Sequence, residues 1–222
     1  MKHLPRLAAV GATAALTIAL SGCGNSEEPA ADPTTPVPSS SPSATPTTGA
    51  DEQGVTAISD IYGPACAQVP AEGEGSAEGM VDDPVATAAG NNPLLGTLAQ
   101  AVEAAGLVDT LNDPEASYTV FAPADAAFEA LPAGTLDALL ADPQGRLTEI
   151  LTYHVVPERY DAEGLAEAGT VTTVQGDQLV VSGEATDLVI DEQEQAAVLC
   201  GNIPTANATV FVIDKVLMPP AP

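Results

Sequence analysis

The sequence predicts an α+β domain with an antiparallel sheet. Three observations carry this reading. Helical patterning dominates the stretch before Gly169, short β-rich runs dominate the stretch after it, and one early strand, Tyr118 to Phe121, sits among the helices. Helices first and strands later argue against alternating βαβ units, which would interleave the two periods.

Asp83-Pro84, Asn92-Pro93 and Asp142-Pro143 each place a capping side chain ahead of a proline, a pattern that opens helices. From Pro93 onward, Leu94, Leu95, Leu98 and Val102 recur at helical spacing, and Gly106 suits the stop. Leu107 to Leu111 is a second short piece. In YTVFAPADAAF (Tyr118 to Phe128), the first four residues are β-formers. Pro123 ends the strand because it has no N–H for the ladder, and Asp125 is the expected N-cap of a helix that buries Phe128. Leu136, Leu139 and Leu140 form another apolar face. The helix from Pro143 carries Leu147, Ile150 and Leu151 and gives way to extended chain at Tyr153. Asp161 to Ala168 is a last short helix, closed by Gly169. Strands are then expected at Thr170–Val174, Gln178–Ser182, Asp187–Ile190, Ala196–Cys200 and Thr209–Leu217, punctuated by Gly176-Asp177 and Gly183-Glu184.

The chain ahead of this domain has a different composition. Lys2 and Arg6 precede an uncharged apolar stretch, Leu7 to Leu20, as in a secretory signal. Its length falls short of the ~20 residues that a membrane span needs. The stretch ends in Leu20-Ser21-Gly22-Cys23, which resembles the lipobox of bacterial lipoproteins and implies cleavage before an acylated Cys23. Gly24 to about Gln53 is dominated by Pro, Thr, Ser and Ala, too little apolar surface to offset the entropy of ordering. Such a tether of ~30 residues would span about 30 Å as a coil and ~90 Å as polyproline II.

Charge narrows the partners. The 222 residues hold 31 acids and 5 bases, a net of −26. The leader takes two of the bases and no acid, leaving 31 against 3, or −28. Nucleic acid is therefore excluded as a partner, and anionic lipid surfaces are poor ones, because phosphate contacts need Lys and Arg. There is no Trp, and three Phe and four Tyr leave the core to Val, Leu, Ile and Ala. The three cysteines are Cys23, Cys66 and Cys200. With Cys23 acylated, the other two form an even pair in an exported, oxidising setting, and a Cys66–Cys200 disulfide is the simplest reading. A redox-active pair is the alternative, although no CxxC is present.

Taken together in this order and at this spacing, YTVFAPADAAF, ILTYHVVP (Ile150 to Pro157) and TVFVIDKVLMP (Thr209 to Pro219) resemble the fasciclin domain, an extracellular adhesion and interaction module. GPACAQVP, DDPVATAAGNNPLLGTLAQAV and TANATVFVIDKVLMPP look like segments of the exported fasciclin-domain antigens of mycobacteria. The resemblance implies a wedge-shaped antiparallel β-sandwich of about seven strands with helices packed at one end, and a disulfide between the two matching cysteines. It departs at Ala124, where fasciclin sequences usually have Thr, so a hydroxyl that could support the turn is missing. It also implies a largely structural role for the Tyr153-His154 pair, whose surroundings in animal relatives are tied to integrin binding. Asp214 and Lys215 fall where animal domains carry an adhesive motif.

Candidate chemistry is sparse. His154 is the only histidine after the leader, since His3 lies within it. A catalytic histidine needs a nucleophile and an orienting acid in reach, and no GxSxG elbow occurs. Zinc sites combine several His or Cys ligands, which this chain lacks. Asn207-Ala208-Thr209 matches a glycosylation sequon, read as a chance match beside a bacterial-type lipobox. No catalytic, cofactor or metal residue is assigned. Tyr153, His154, Asp214 and Lys215 are the candidate interaction residues. The organisation expected is a leader (1–22), a tether (23–55), an N-terminal extension (56–91) and the fasciclin domain (92–220). The function expected is a non-catalytic protein on the outer face of the cell membrane, anchored through Cys23 and binding a protein or glycan. The alternative is an envelope carrier of a small ligand or metal.

Overall fold

The run Ala208–Ile213 is apolar at nearly every position because the fold covers it on both faces. In the computed structural model, which describes residues 54–191 and 193–220, this run is β7 of a seven-stranded sheet. The strands are β1 (Tyr118–Pro123), β2 (Val155–Val156), β3 (Thr170–Thr172), β4 (Gln178–Glu184), β5 (Asp187–Ile190), β6 (Ala196–Pro204) and β7, in the order β2-β1-β7-β6-β5-β4-β3. Successive side chains of a strand point to opposite faces. Val120, Ala122, Val210 and Val212 therefore enter one hydrophobic cluster, while Phe121, Phe211 and Ile213 enter another.

Helices supply most of the rest of the first cluster. These are α1 (Ala77–Met80), α2 (Val85–Asn91), α3 (Gly96–Ala105), α4 (Val108–Leu111), α5 (Asp125–Glu129), α6 (Thr135–Ala141) and α7 (Thr148–Tyr153). Met80, Val85 and Ala88 belong to this cluster, so packing continues without a break through Asn92. The second cluster lies inside the curled sheet and is stoppered by Ala162 and Leu165 of α8 (Ala162–Ala168). The curl brings the sheet's far edges together. Val174 N–H donates to the Val155 carbonyl at 2.7 Å, and Gln175 N–H to the Thr152 carbonyl at 3.2 Å. A nearly closed sheet leaves little unpaired edge.

The expected α+β class and strand number match this architecture, and one ladder departs from the antiparallel expectation. β1 and β7 run parallel, from Tyr118 opposite Ala208 to Pro123 opposite Ile213. Both are buried on both faces, the usual setting for parallel pairs. β6 extends past Cys200 to Pro204, because Gly201 and Asn202 are absorbed as an irregularity in the ladder to β7, with Asn202 at φ 59. β7 is shorter than its apolar run, since Asp214 leaves the sheet and Val216 and Leu217 tuck into the interior.

Helix ends divide into local and non-local cases. Gly106 (φ +69) and Gly169 (φ +62) stop α3 and α8 in the left-handed conformation, and Asp161 caps α8 by accepting from Gly164 N–H at 2.7 Å. Asp142 caps its segment as read, although Pro143–Leu147 winds as a π-helix ahead of α7. The other two expected caps differ. Pro84, not Asp83, is the N-cap of α2, and Asn207 accepts from Val85 N–H at 2.9 Å. Asn92 makes a turn by accepting from Leu94 N–H at 3.0 Å, so α3 begins only at Gly96. Leu140 stays 41% exposed, outside the apolar face read for α6. Asp125 does not cap its own helix. Ala124 holds that place without a side-chain bond, and Asp125 reaches across to accept from Thr97 N–H of α3 at 2.8 Å.

The segment from Gly54 to about Ala71 crosses the outside of β6 as a strap. Tyr62 and Gly201 exchange backbone hydrogen bonds, and Ala65 N–H donates to the Leu199 carbonyl. Cys66 and Cys200 are joined by a disulfide 134 positions apart in the chain. Glycine at 201 gives the Tyr62 ring room, because a Cβ there would press on it. The leader, Cys23 and the tether up to Gln53 lie outside the described residues.

Two outcomes follow from these contacts. Closing a loop of this length is worth on the order of 3–5 kcal/mol, so a Cys66→Ala/Cys200→Ala variant should lose about that much stability in urea unfolding. Asp125→Ala should cost about 1–2 kcal/mol through the orphaned Thr97 N–H, whereas Ala124→Ser, which supplies the missing cap oxygen, should gain about 1 kcal/mol.

The His154 junction and the candidate interaction surface

Tyr153 and His154 end α7, where an amphipathic helix turns directly into the short strand β2. That position carries both side chains inward. His154 is 2% exposed, and both ring nitrogens are used by backbone groups. Nδ1 lies 2.8 Å from the Ile150 carbonyl, and Leu217 N–H donates to Nε2 at 3.0 Å. A carbonyl needs a donor and an amide needs an acceptor, so the partners fix the neutral tautomer with its proton on Nδ1. Phe121 N–H donates to the His154 carbonyl at 2.9 Å. The three sequence motifs thus meet at one residue.

Burial pushes the His154 pKa down to about 4, against a smaller upward pull from the Ile150 carbonyl. Its ring partners are an amide and a carbonyl, with no nucleophile or acid bonded to it, so the ring is not arranged for proton transfer. Tyr153 is buried too, and its pKa is raised to about 12 by burial and by the charges of Asp191 and Asp177. Neither side chain is available as a contact surface, which agrees with the largely structural role that the resemblance implies and not with their place among the candidate interaction residues. A continuous apolar run does not say which side chains face out.

Asp214 and Lys215 lie nearer the surface and are tied to neighbouring backbone. The Asp214 carboxylate accepts from Ala197 N–H at 2.7 Å, and the exposed Lys215 ammonium donates to the Glu194 carbonyl at 2.7 Å. They brace the chain where it leaves β7. Among the described residues no group of three or more His, Cys, Asp and Glu is arranged to hold a metal ion.

Two residues that motif reading passed over hold the site's frame. Asn207 is 2% exposed; its amide donates to the Leu111 and Asp113 carbonyls at 2.8 Å, while its oxygen takes Val85 N–H. The sequon asparagine is therefore closed to a glycan in the folded domain. Arg159 places Nη2 on the Thr205 and Ala208 carbonyls at 3.0 and 2.8 Å and Nε on Thr209 Oγ1 at 3.1 Å. Burial lowers its pKa. Around it runs a groove of about 760 Å³ lined by Glu158, Asp161, Glu163 and Glu167, beside Gly54. Tyr160 donates to Glu158 at 2.6 Å in this groove, and that bond, together with burial, raises its pKa to about 12.

The His154 arrangement has a pH signature. The folded pKa lies below the unfolded value near 6.5, so the stabilisation is complete above that value and is lost as pH falls toward 4. The full difference is on the order of 3 kcal/mol. The His154 ring resonances should titrate with a midpoint near 4 in NMR spectra, not near 6.5.

The Fasciclin domain family profile matches residues 93–219. The chain is 46% identical over 228 aligned positions to the cell surface glycolipoprotein MPB83 of Mycobacterium bovis, covering 96% of each. It is 46% identical over 173 positions to the immunogenic protein MPB70 of the same species, covering 74% of this chain and 86% of that one. In fold it resembles a FAS1 domain pair from the insect cell adhesion molecule fasciclin I, with a TM-score of 0.56 at 20% identity over 64% of this chain and 52% of that one. The chain belongs to the fasciclin-domain family.

Proposed function

We propose that this protein is a lipid-anchored fasciclin domain displayed on the outer face of the cell membrane, where it binds a protein or glycan partner without catalysis. The observation that carries the reading is the 46% identity to a cell surface glycolipoprotein over 96% of both chains. That span leaves too few residues over to omit the region before Gly54, so the likeness includes part of the leader and tether. Within that region the lipobox supplies Cys23 for acylation, and the tether gives the domain reach from the membrane. Anchoring raises the domain's local concentration near envelope partners. Among the described residues no helix is long and apolar enough to cross a membrane.

The partner meets a strongly acidic surface. At a net of −28 after the leader is removed, basic proteins associate faster than acidic ones, and the advantage falls with salt. The test is a crosslinking pull-down with the oxidised full chain against envelope extract and extracellular-matrix proteins. A saturable partner retained at moderate salt is expected. Absence of any partner at micromolar protein would remove the adhesion reading.

A further inference from the structure

The described residues contain three bases, and two of them are occupied. Arg159 is bonded to the Thr205 and Ala208 carbonyls, and Lys215 to the Glu194 carbonyl. Arg146 is different. Among the described residues its guanidinium has no hydrogen-bond or ion-pair partner, and only its backbone N–H is bonded, to Asp142 at 3.3 Å. It is exposed on the π-helical segment Pro143–Leu147, and π-wound turns are rare and concentrate at functional sites. The Asp142 carboxylate is turned onto this segment's backbone, and a Cβ at Gly145 would push it aside.

Arg146 overlooks a groove of about 520 Å³ between α6, the π-segment and the chain after β7. Its apolar lining is aliphatic: Ala138, Leu139, Ile150 and Met218. No aromatic ring lines it, and Thr135, Asp142 and Arg146 are its polar side chains. The volume lies within the range of about 300–1,000 Å³ that small-molecule sites occupy. Methionine adapts its shape to flexible apolar ligands.

We propose that this groove binds a fatty acid, with the aliphatic chain along Leu139, Ile150 and Met218 and the carboxylate on Arg146. One cation beside an aliphatic lining matches one anion on an aliphatic chain, and the groove's own carboxylate, Asp142, is turned onto the Arg146 backbone N–H. The planar guanidinium can meet the carboxylate through two parallel hydrogen bonds. The molecule's overall negative charge does not forbid this, because exposed charges farther away than ~8 Å are largely screened at physiological salt.

The test titrates the full oxidised chain with dodecanoate below its micellar concentration, with dodecanol and butyrate as controls. Binding is followed by calorimetry and by the methyl resonances of Leu139, Ile150 and Met218. The expected result is saturable dodecanoate binding with shifts confined to these methyls, at least about tenfold tighter than dodecanol or butyrate. Arg146→Gln, at an exposed position that leaves the fold intact, should weaken dodecanoate to the level of dodecanol. No binding, shifts centred elsewhere, equal affinity for dodecanol, or an unchanged affinity in Arg146→Gln would each overturn the proposal. Its outcome is independent of whether the domain captures an envelope partner.

Discussion

A neutral imidazole with both nitrogens bonded to backbone holds this domain together. His154 joins the carbonyl of its own helix to the amide of Leu217, and its own carbonyl takes Phe121 N–H. Two of the three contacts, to Leu217 and Phe121, come from segments far apart in the chain. Each group lies where water cannot replace a lost partner, so leaving one unsatisfied costs about 1–3 kcal/mol. No aliphatic residue could serve, because the two backbone groups need an acceptor and a donor about one ring apart. Burial and the Leu217 amide both keep the ring neutral, since a second ring proton would face an N–H with nothing to accept it.

The same economy of polar bonding recurs wherever distant elements meet. Asn207 ties the loop before β7 to α2 and α4, Asp125 ties α5 to α3, and Arg159 binds the β6–β7 turn. None of these is an ion pair. A chain with so few bases for its acids cannot build its interior on salt bridges. Backbone carbonyls are the acceptors that do not depend on charge balance, and Arg159 shows the result: a half-buried guanidinium satisfied by carbonyls and a hydroxyl. The surface is left to carboxylates, which keep the molecule soluble and repel one another without being asked to organise the core.

Features determined within a few residues were legible in the sequence. Gly106 and Gly169 stop helices because the left-handed turn is a local requirement, and Asp161 caps its helix from one position away. Features decided by tertiary contact were not. Asp125 looked like a cap for the helix it begins, yet its donor is Thr97, 28 positions earlier. Asn92 satisfies a turn in place of a helix, which moves the start of α3 to Gly96. The parallel β1–β7 ladder has no local signature, since pairing two strands about ninety residues apart is settled by burial of both faces. Tyr153 and His154 were recognisable as a largely structural pair, but the backbone groups that hold them were not, because those partners lie in distant segments. Arg159 gave no signal beyond being a base, and the glycosylation pattern at Asn207 drew notice away from its place in the core.

The burial of the motif residues separates two questions that sequence likeness tends to merge. The segments that reveal the family are those that meet at His154, and they are inside. They are selected by the fold's need for a donor, an acceptor and a covered strand. A partner touches only what lies outside, here the strap over β6, the acid-lined groove near Gly54 and the groove under Arg146. Two fasciclin domains can therefore share every motif residue and share no partner, since function lives in sites carried on the fold. Among the described residues Arg146 and Lys215 are the exposed bases on a surface rich in carboxylates, and Arg146 lines a groove.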